Sequence, residues 1–256
     1  MRETLDRLHA GELTPAEAEA RLRGYATSTA GRLDAARDRR RGVPEGILAE
    51  GKTPAETAAM ASTSLETTGR ALVTRADDRT VQRLRTYLAE SHPDADVDVD
   101  TRGGTVVAHA PGYDPESVDA DVLVVTGGTS DAPAAREAAT VAREAGPRVE
   151  LVEDVGVANI DRVLDEKDRL RGADALVVAA GREGALPTVV AGLVAAPVIA
   201  LPTSIGYGAG GEGQAALLGA LQSCTVLSTV NVDAGFVAGA QAALIARRVA
   251  AARDDG

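Results

Sequence analysis

The stretch ADVLVVTGGTSD, residues 120–131, decides the fold. Its Val-Leu-Val-Val centre shows no polar alternation, so both faces of that strand need covering, as in a parallel sheet clad by helices. The strand runs out on two glycines. DAPAAREAATVAREAG (131–146) then reads as a helix stopped by Gly146.

Working outward, the same alternation recurs. RVELVED (148–154), ADALVVAAG (173–181), APVIALPT (196–203) and TVLSTVNV (225–232) read as strands. NIDRVLDEKDRLRGA (159–173), LPTVVAGLVA (186–195), GQAALLGALQS (213–223) and AGFVAGAQAALIA (234–246) read as the helices between and after them. Strand and helix in turn predict an α/β, flavodoxin-like domain over 118–256, a parallel sheet with helices on both faces. Ahead of it, residues 1–25 and 54–69 read as helical, with Thr-Pro helix starts at 14–15 and 53–54. Short strands are expected at 70–76 and within 97–110, around a helix over 78–90. That predicts a small α+β domain over 1–112, linked to the next by APGYDPES (110–117).

Composition narrows the function. The chain has 256 residues, 45% of them hydrophobic and 25% charged, ample for a core. A single cysteine excludes an intrachain disulfide and a thiolate zinc cluster. His9, His92 and His109 form no HExxH or HxH pair, so no protein-held metal is expected. A net charge of −11 with 2% aromatics lacks the basic stripe and stacking rings of a nucleic-acid binder. The uncharged run 184–211 is cut by Pro187, Pro197, Pro202 and glycines into pieces too short for a bilayer. Met1 to Ala10 carries no apolar leader, and a cytoplasmic protein with no membrane partner is expected. Between 184 and 246 only Glu212 and Asp233 are charged, so helices there need cover from other subunits, and a homo-oligomer is expected.

In an open parallel sheet, ligands sit beyond the carboxyl ends of the strands. The first such segment is Gly127-Gly128-Thr129-Ser130-Asp131, whose glycines and hydroxyls suit a phosphate, although Ser130 or Asp131 could simply cap the helix. The second, Gly181-Arg182-Glu183-Gly184, offers a carboxylate between glycines, either a general base or a solvated loop charge. The third, residues 202–211, includes Ser204, Tyr207 and Gly208; it either wraps a ligand or is merely flexible. The fourth is Cys224, either an inert small core residue or a nucleophile with no histidine near it in sequence.

Together these segments resemble a known family. AAGREGALPTVVAGLVAAPVIALPTSIGYG (179–208), ALLGALQSC (216–224) and VNVDAGF (230–236) are similar, in that order, to the LarB family, which opens nickel-pincer nucleotide biosynthesis. GGTSD (127–131), VEDVGVANIDR (152–162) and GVPEGILAEGKTP (42–54) fit the same pattern, so the resemblance spans roughly residues 30–250. The C-terminal half also resembles aminoimidazole ribonucleotide carboxylase/mutase. That family carries a histidine just before Leu-Pro, where this chain has Ala185.

The LarB resemblance implies an enzyme that carboxylates nicotinic acid adenine dinucleotide at C5 of the pyridinium ring and hydrolyses its phosphoanhydride. Carbon dioxide is then the co-substrate, with no tightly bound cofactor and with room for magnesium in the hydrolysis. It implies Cys224 as nucleophile and Glu183 as base. The substrate-binding set it implies is Gly128, Thr129, Ser130, Asp131, Gly181, Gly184, Ser204, Tyr207 and Gly208, with Lys52 as a phosphate contact or a solvated helix-start lysine. The sister fold implies an octamer with shared active sites. Arg182 stands where the family pattern has an apolar residue, Gly211-Glu212 departs from a small or apolar pair, and DAARDRRR (34–41) lacks the family's histidines. The alternatives are a purine-type carboxylase/mutase and a nucleotide-binding protein without catalysis.

Overall fold

The computed structural model describes residues 1–254. The chain divides into two compact units between Pro115 and Glu116, inside the expected linker. The last two residues of the expected 118–256 domain lie outside the described residues.

The first unit opens with helices α1 (Arg2–His9) and α2 (Pro15–Arg23), a hairpin of β1 (Ala26–Ser28) and β2 (Gly31–Leu33), and α3 (Arg37–Arg41). There follow β3 (Gly46–Leu48), α4 (Pro54–Thr68), β4 (Arg70–Thr74), α5 (Asp78–Ser91), β5 (Asp96–Asp100) and β6 (Thr105–His109). Residues 1–25 are thus helical as expected, in two helices with the second starting at the Thr14-Pro15 signal, while the hairpin, α3 and β3 are additions to the expected elements. Strands β3, β4, β6 and β5 form a four-stranded mixed sheet in that order. Thr14 and Thr53 start α2 and α4 with complete capping boxes, each closed by the glutamate three residues on.

The second unit contains β7 (Val118–Thr126), a 3₁₀ turn at Thr129–Asp131, α6 (Ala132–Glu144), β8 (Pro147–Val152), α7 (Asp161–Asp165) and α8 (Lys167–Gly172). It continues with β9 (Ala175–Ala180), α9 (Ala185–Leu193), β10 (Val198–Pro202), α10 (Gln214–Leu221), β11 (Ser228–Thr229) and α11 (Gly235–Asp254). The sheet order is β11-β10-β9-β7-β8, with every neighbouring pair parallel. This is the flavodoxin-like winding that the alternating pattern predicts. Odd and even positions of each strand feed opposite cores. Val122, Val124, Val177, Ala179, Ile199 and Leu201 pack with α6 and α11, while Leu123, Val125, Leu176 and Val178 pack with Val163, Leu170, Leu186 and Val190.

Two expectations need correction. The helix over 159–173 is broken at Glu166 into α7 and α8, and the strand over 225–232 pairs only at Ser228–Thr229. On the edge of the sheet, β-branched residues have a partner on one side only, and Val226 is left 96% exposed.

Candidate active site

The winding reverses between β7 and β9, since β8 adds on one side of β7 and β9 on the other. A crevice beyond the carboxyl ends of such a pair is where doubly wound sheets bind ligands. Here residues 127–131 leave β7 and residues 181–184 leave β9 at that point.

Asp131 ties these strand ends together. One carboxylate oxygen accepts from the Gly128 amide at 2.8 Å; the other accepts from the Gly181 amide at 3.0 Å and from the Thr203 hydroxyl. The residue is buried, so its carboxylate is committed to protein donors from three separate loops. Sequence reading offered Asp131 as a ligand contact or a cap, and nothing local marks its partners 50 and 72 residues away. Thr129 and Ser130 are exposed beside it, and Gly128 is half-buried. A Cβ on Gly156 would stand 2.4 Å from the Gly127 carbonyl, so the crossover after β8 is glycine where it passes the turn.

The 181–184 bend is built as tightly. Gly181 is buried against residue 205, where a Cβ would meet the Ile205 carbonyl at 2.3 Å. The Arg182 amide donates to that same carbonyl at 2.7 Å. Arg182 itself is left-handed, with φ of 52°, a conformation that costs a side-chain-bearing residue about 1–2 kcal/mol. Gly184 is left-handed too, and a Cβ there would lie 2.7 Å from the Ala216 Cα on α10. The Glu183 carbonyl approaches α10 equally closely at Gly219, where a Cβ would lie 2.9 Å from it. The Glu183 residue is exposed.

Loop 203–213 follows β10. The Ser204 amide donates to Asp233 at 2.9 Å, and Gly208 accepts from the Gly211 amide in a turn. Tyr207 is 82% exposed, and the Arg182 guanidinium carbon lies 4.8 Å from its ring centroid. A hydrogen bond and the charge of Arg182 hold the Tyr207 phenol below the usual tyrosine range.

Cys224 is exposed, which overturns the reading of it as a core residue. Its neighbour Ser223 shares hydrogen bonds with Thr188 of α9 at 2.9 Å and with Thr225 at 2.8 Å. The sulfur therefore lies in a turn anchored to the first turns of α9, the helix that starts directly after Glu183 and Gly184. Ser223 and Thr203 carry these anchors, and neither stands out by sequence pattern. Lys52 is in the first unit, where its ammonium donates to the Leu48 carbonyl at 2.6 Å. Among the described residues there is no group of three or more His, Cys, Asp or Glu side chains arranged to hold a metal ion.

Two family models match the chain. One, described as AIR carboxylase, covers residues 121–256, and the other, a LarB/PurE-like N-terminal domain, covers residues 25–105. An uncharacterised protein of Methanocaldococcus jannaschii is 34% identical over 221 residues, covering 84% of this chain and 84% of its own length. The second unit is thus a carboxylase-type domain with its strand-end loops where that fold takes ligands. The chain belongs to the AIR carboxylase family and carries, ahead of that domain, one that matches the LarB/PurE-like N-terminal model.

Proposed function

We propose that the protein carboxylates nicotinic acid adenine dinucleotide at C5 of its pyridinium ring and hydrolyses the phosphoanhydride. The products are pyridinium-3,5-biscarboxylic acid mononucleotide and AMP. The observation that carries this reading is an exposed carboxylate on the switch-point bend, together with an exposed thiol just past the end of the helix against which that bend packs.

An electron-poor pyridinium cannot attack carbon dioxide. Addition of the Cys224 thiolate at C4 removes the aromaticity and leaves an enamine across N1, C6 and C5, whose C5 is nucleophilic. That carbon forms the new bond to carbon dioxide. Glu183 then takes the C5 proton; the freed electron pair closes the C4–C5 double bond as the C4–S bond breaks, and the thiolate is regenerated. Gly128, Thr129 and Ser130 take the phosphate and ribose, and the 204–208 segment covers the ring. Asp131 acts through them as a positioning residue. Hydrolysis is attack of water at the anhydride phosphorus, and its dependence on magnesium is read by adding a chelator.

The test is direct. Protein given the dinucleotide and labelled bicarbonate releases AMP and a ring product heavier by one labelled carboxylate, and Cys224→Ala abolishes the ring product. Full turnover by Cys224→Ala removes the mechanism. The AIR carboxylase match favours a second reading, carboxylation or mutase chemistry on aminoimidazole ribonucleotide. Ala185, in place of that enzyme's histidine, weighs against it, and turnover of that ribonucleotide would establish it. We also infer a homo-oligomer from the exposed apolar side chains Leu218, Leu221, Val226 and Val237.

A further inference from the structure

We propose that Arg182 selects the substrate by the charge on its ring, pairing with the nicotinate carboxylate and so rejecting the corresponding amide. This rests on the function proposed above and names the specificity of the same site. Between Gly181 and Gly211, a stretch that includes the bend after β9 and most of the loop after β10, the only charged residues are Arg182 and Glu183. A ring that presents C5 to the Glu183 carboxylate brings its own carboxylate into the same small space, where two negative charges repel. Arg182 is the cation at hand, next in the chain to Glu183, and its hydrogen bond to Tyr207, with a smaller contribution from the Glu183 charge, favours the charged guanidinium.

Its position is fixed rather than incidental. The backbone is held left-handed and tied to the Ile205 carbonyl, and the guanidinium is drawn to the Tyr207 ring with its carbon 4.8 Å from the centroid. An arginine held against an aromatic ring still has N–H donors in its own plane, and a planar carboxylate accepts two of them in parallel. A carboxamide meets the same fork with one oxygen and no charge. Arg182 is also exposed and makes no ion pair with a carboxylate among the described residues, in contrast to Arg136, Arg148 and Arg253 of the same unit. No proton or bond changes hands in this contact; it is recognition alone.

The experiment is titration calorimetry with two probes that differ only at the ring substituent, nicotinic acid mononucleotide and nicotinamide mononucleotide. The natural chain binds the acid at least tenfold more tightly. Arg182→Met weakens the acid about tenfold, leaves the amide unchanged and so erases the preference; Arg182→Lys restores part of it. A residue that only anchors the loop would weaken both probes equally, so the ratio separates recognition from structure. Thermal melts show that the exposed substitution leaves the fold intact. Persistence of the preference in Arg182→Met, or equal binding of both probes by the natural chain, overturns the proposal while leaving the carboxylase reading in place. Binding of neither probe by the natural chain overturns both.

Discussion

Replacing Asp131 by alanine leaves the Gly128 and Gly181 amides and the Thr203 hydroxyl without their acceptor in a buried place. A charged acceptor lost to several donors should cost about 3 kcal/mol, against about 1 kcal/mol for Thr203→Val, which removes one donor and keeps the other two bonds. Urea unfolding of the two variants measures both, and a loss under about 1 kcal/mol for Asp131→Ala would contradict the role given to it. Cys224→Ala behaves in the opposite way. The residue is exposed, so stability should stay within about 0.5 kcal/mol, while carboxylation falls by roughly 10⁴-fold. These two residues mark the limits of sequence reading at this scale. The glycines and Glu183 on the strand ends were legible because local spacing puts them there, whereas the knot around Asp131 depends on contacts across 50 and 72 positions.

Helix starts and helix seams set the next level. Thr53→Ala opens the capping box of α4 and should cost about 1 kcal/mol in a thermal melt. Hydrogen bonds from Thr53, first from its backbone, hold Glu56 below the usual carboxylate range, and Thr80, first through its side chain, does the same for Asp77 at the start of α5. A carboxylate with a lowered native value gives its full stabilisation above the unfolded value and loses it as pH falls through the native one. Glu56→Gln with Asp77→Asn should therefore flatten the fall in stability on acidification, and unfolding free energies measured from neutral into acid pH test this. The strands β7, β9 and β10 and most of the helices were legible because apolar runs and caps announce them. The break at Glu166 has no glycine or proline to signal it. The strands β1, β2 and β3 have three residues each, too few for a period to register.

The largest scale concerns what the second unit leaves uncovered. Leu218 and Leu221 are 53% and 60% exposed at the end of α10, and Val226 and Val237 are exposed as well. Leu218→Asp with Leu221→Asp should shift the sedimentation of the protein from an assembly to single chains, with its circular dichroism unchanged; an unaltered profile would detach these side chains from self-association. Uncharged helices made this apolar surface visible in the sequence, but which of its side chains stand exposed together is set by the fold and cannot be read from composition. Inside, the seam between α6 and α11 is built almost wholly from alanine: Ala134, Ala135, Ala138, Ala139 and Ala142 meet Ala238, Ala242, Ala243 and Ala246. At Gly239 a Cβ would stand 2.2 Å from the Ala138 carbonyl. A methyl group has no torsion to freeze on burial, so joining these two helices forfeits almost no side-chain freedom, and warming has few dormant rotamers there to release. The amide protons of mid-α11 should accordingly be among the last in the second unit to exchange with deuterium as the temperature rises.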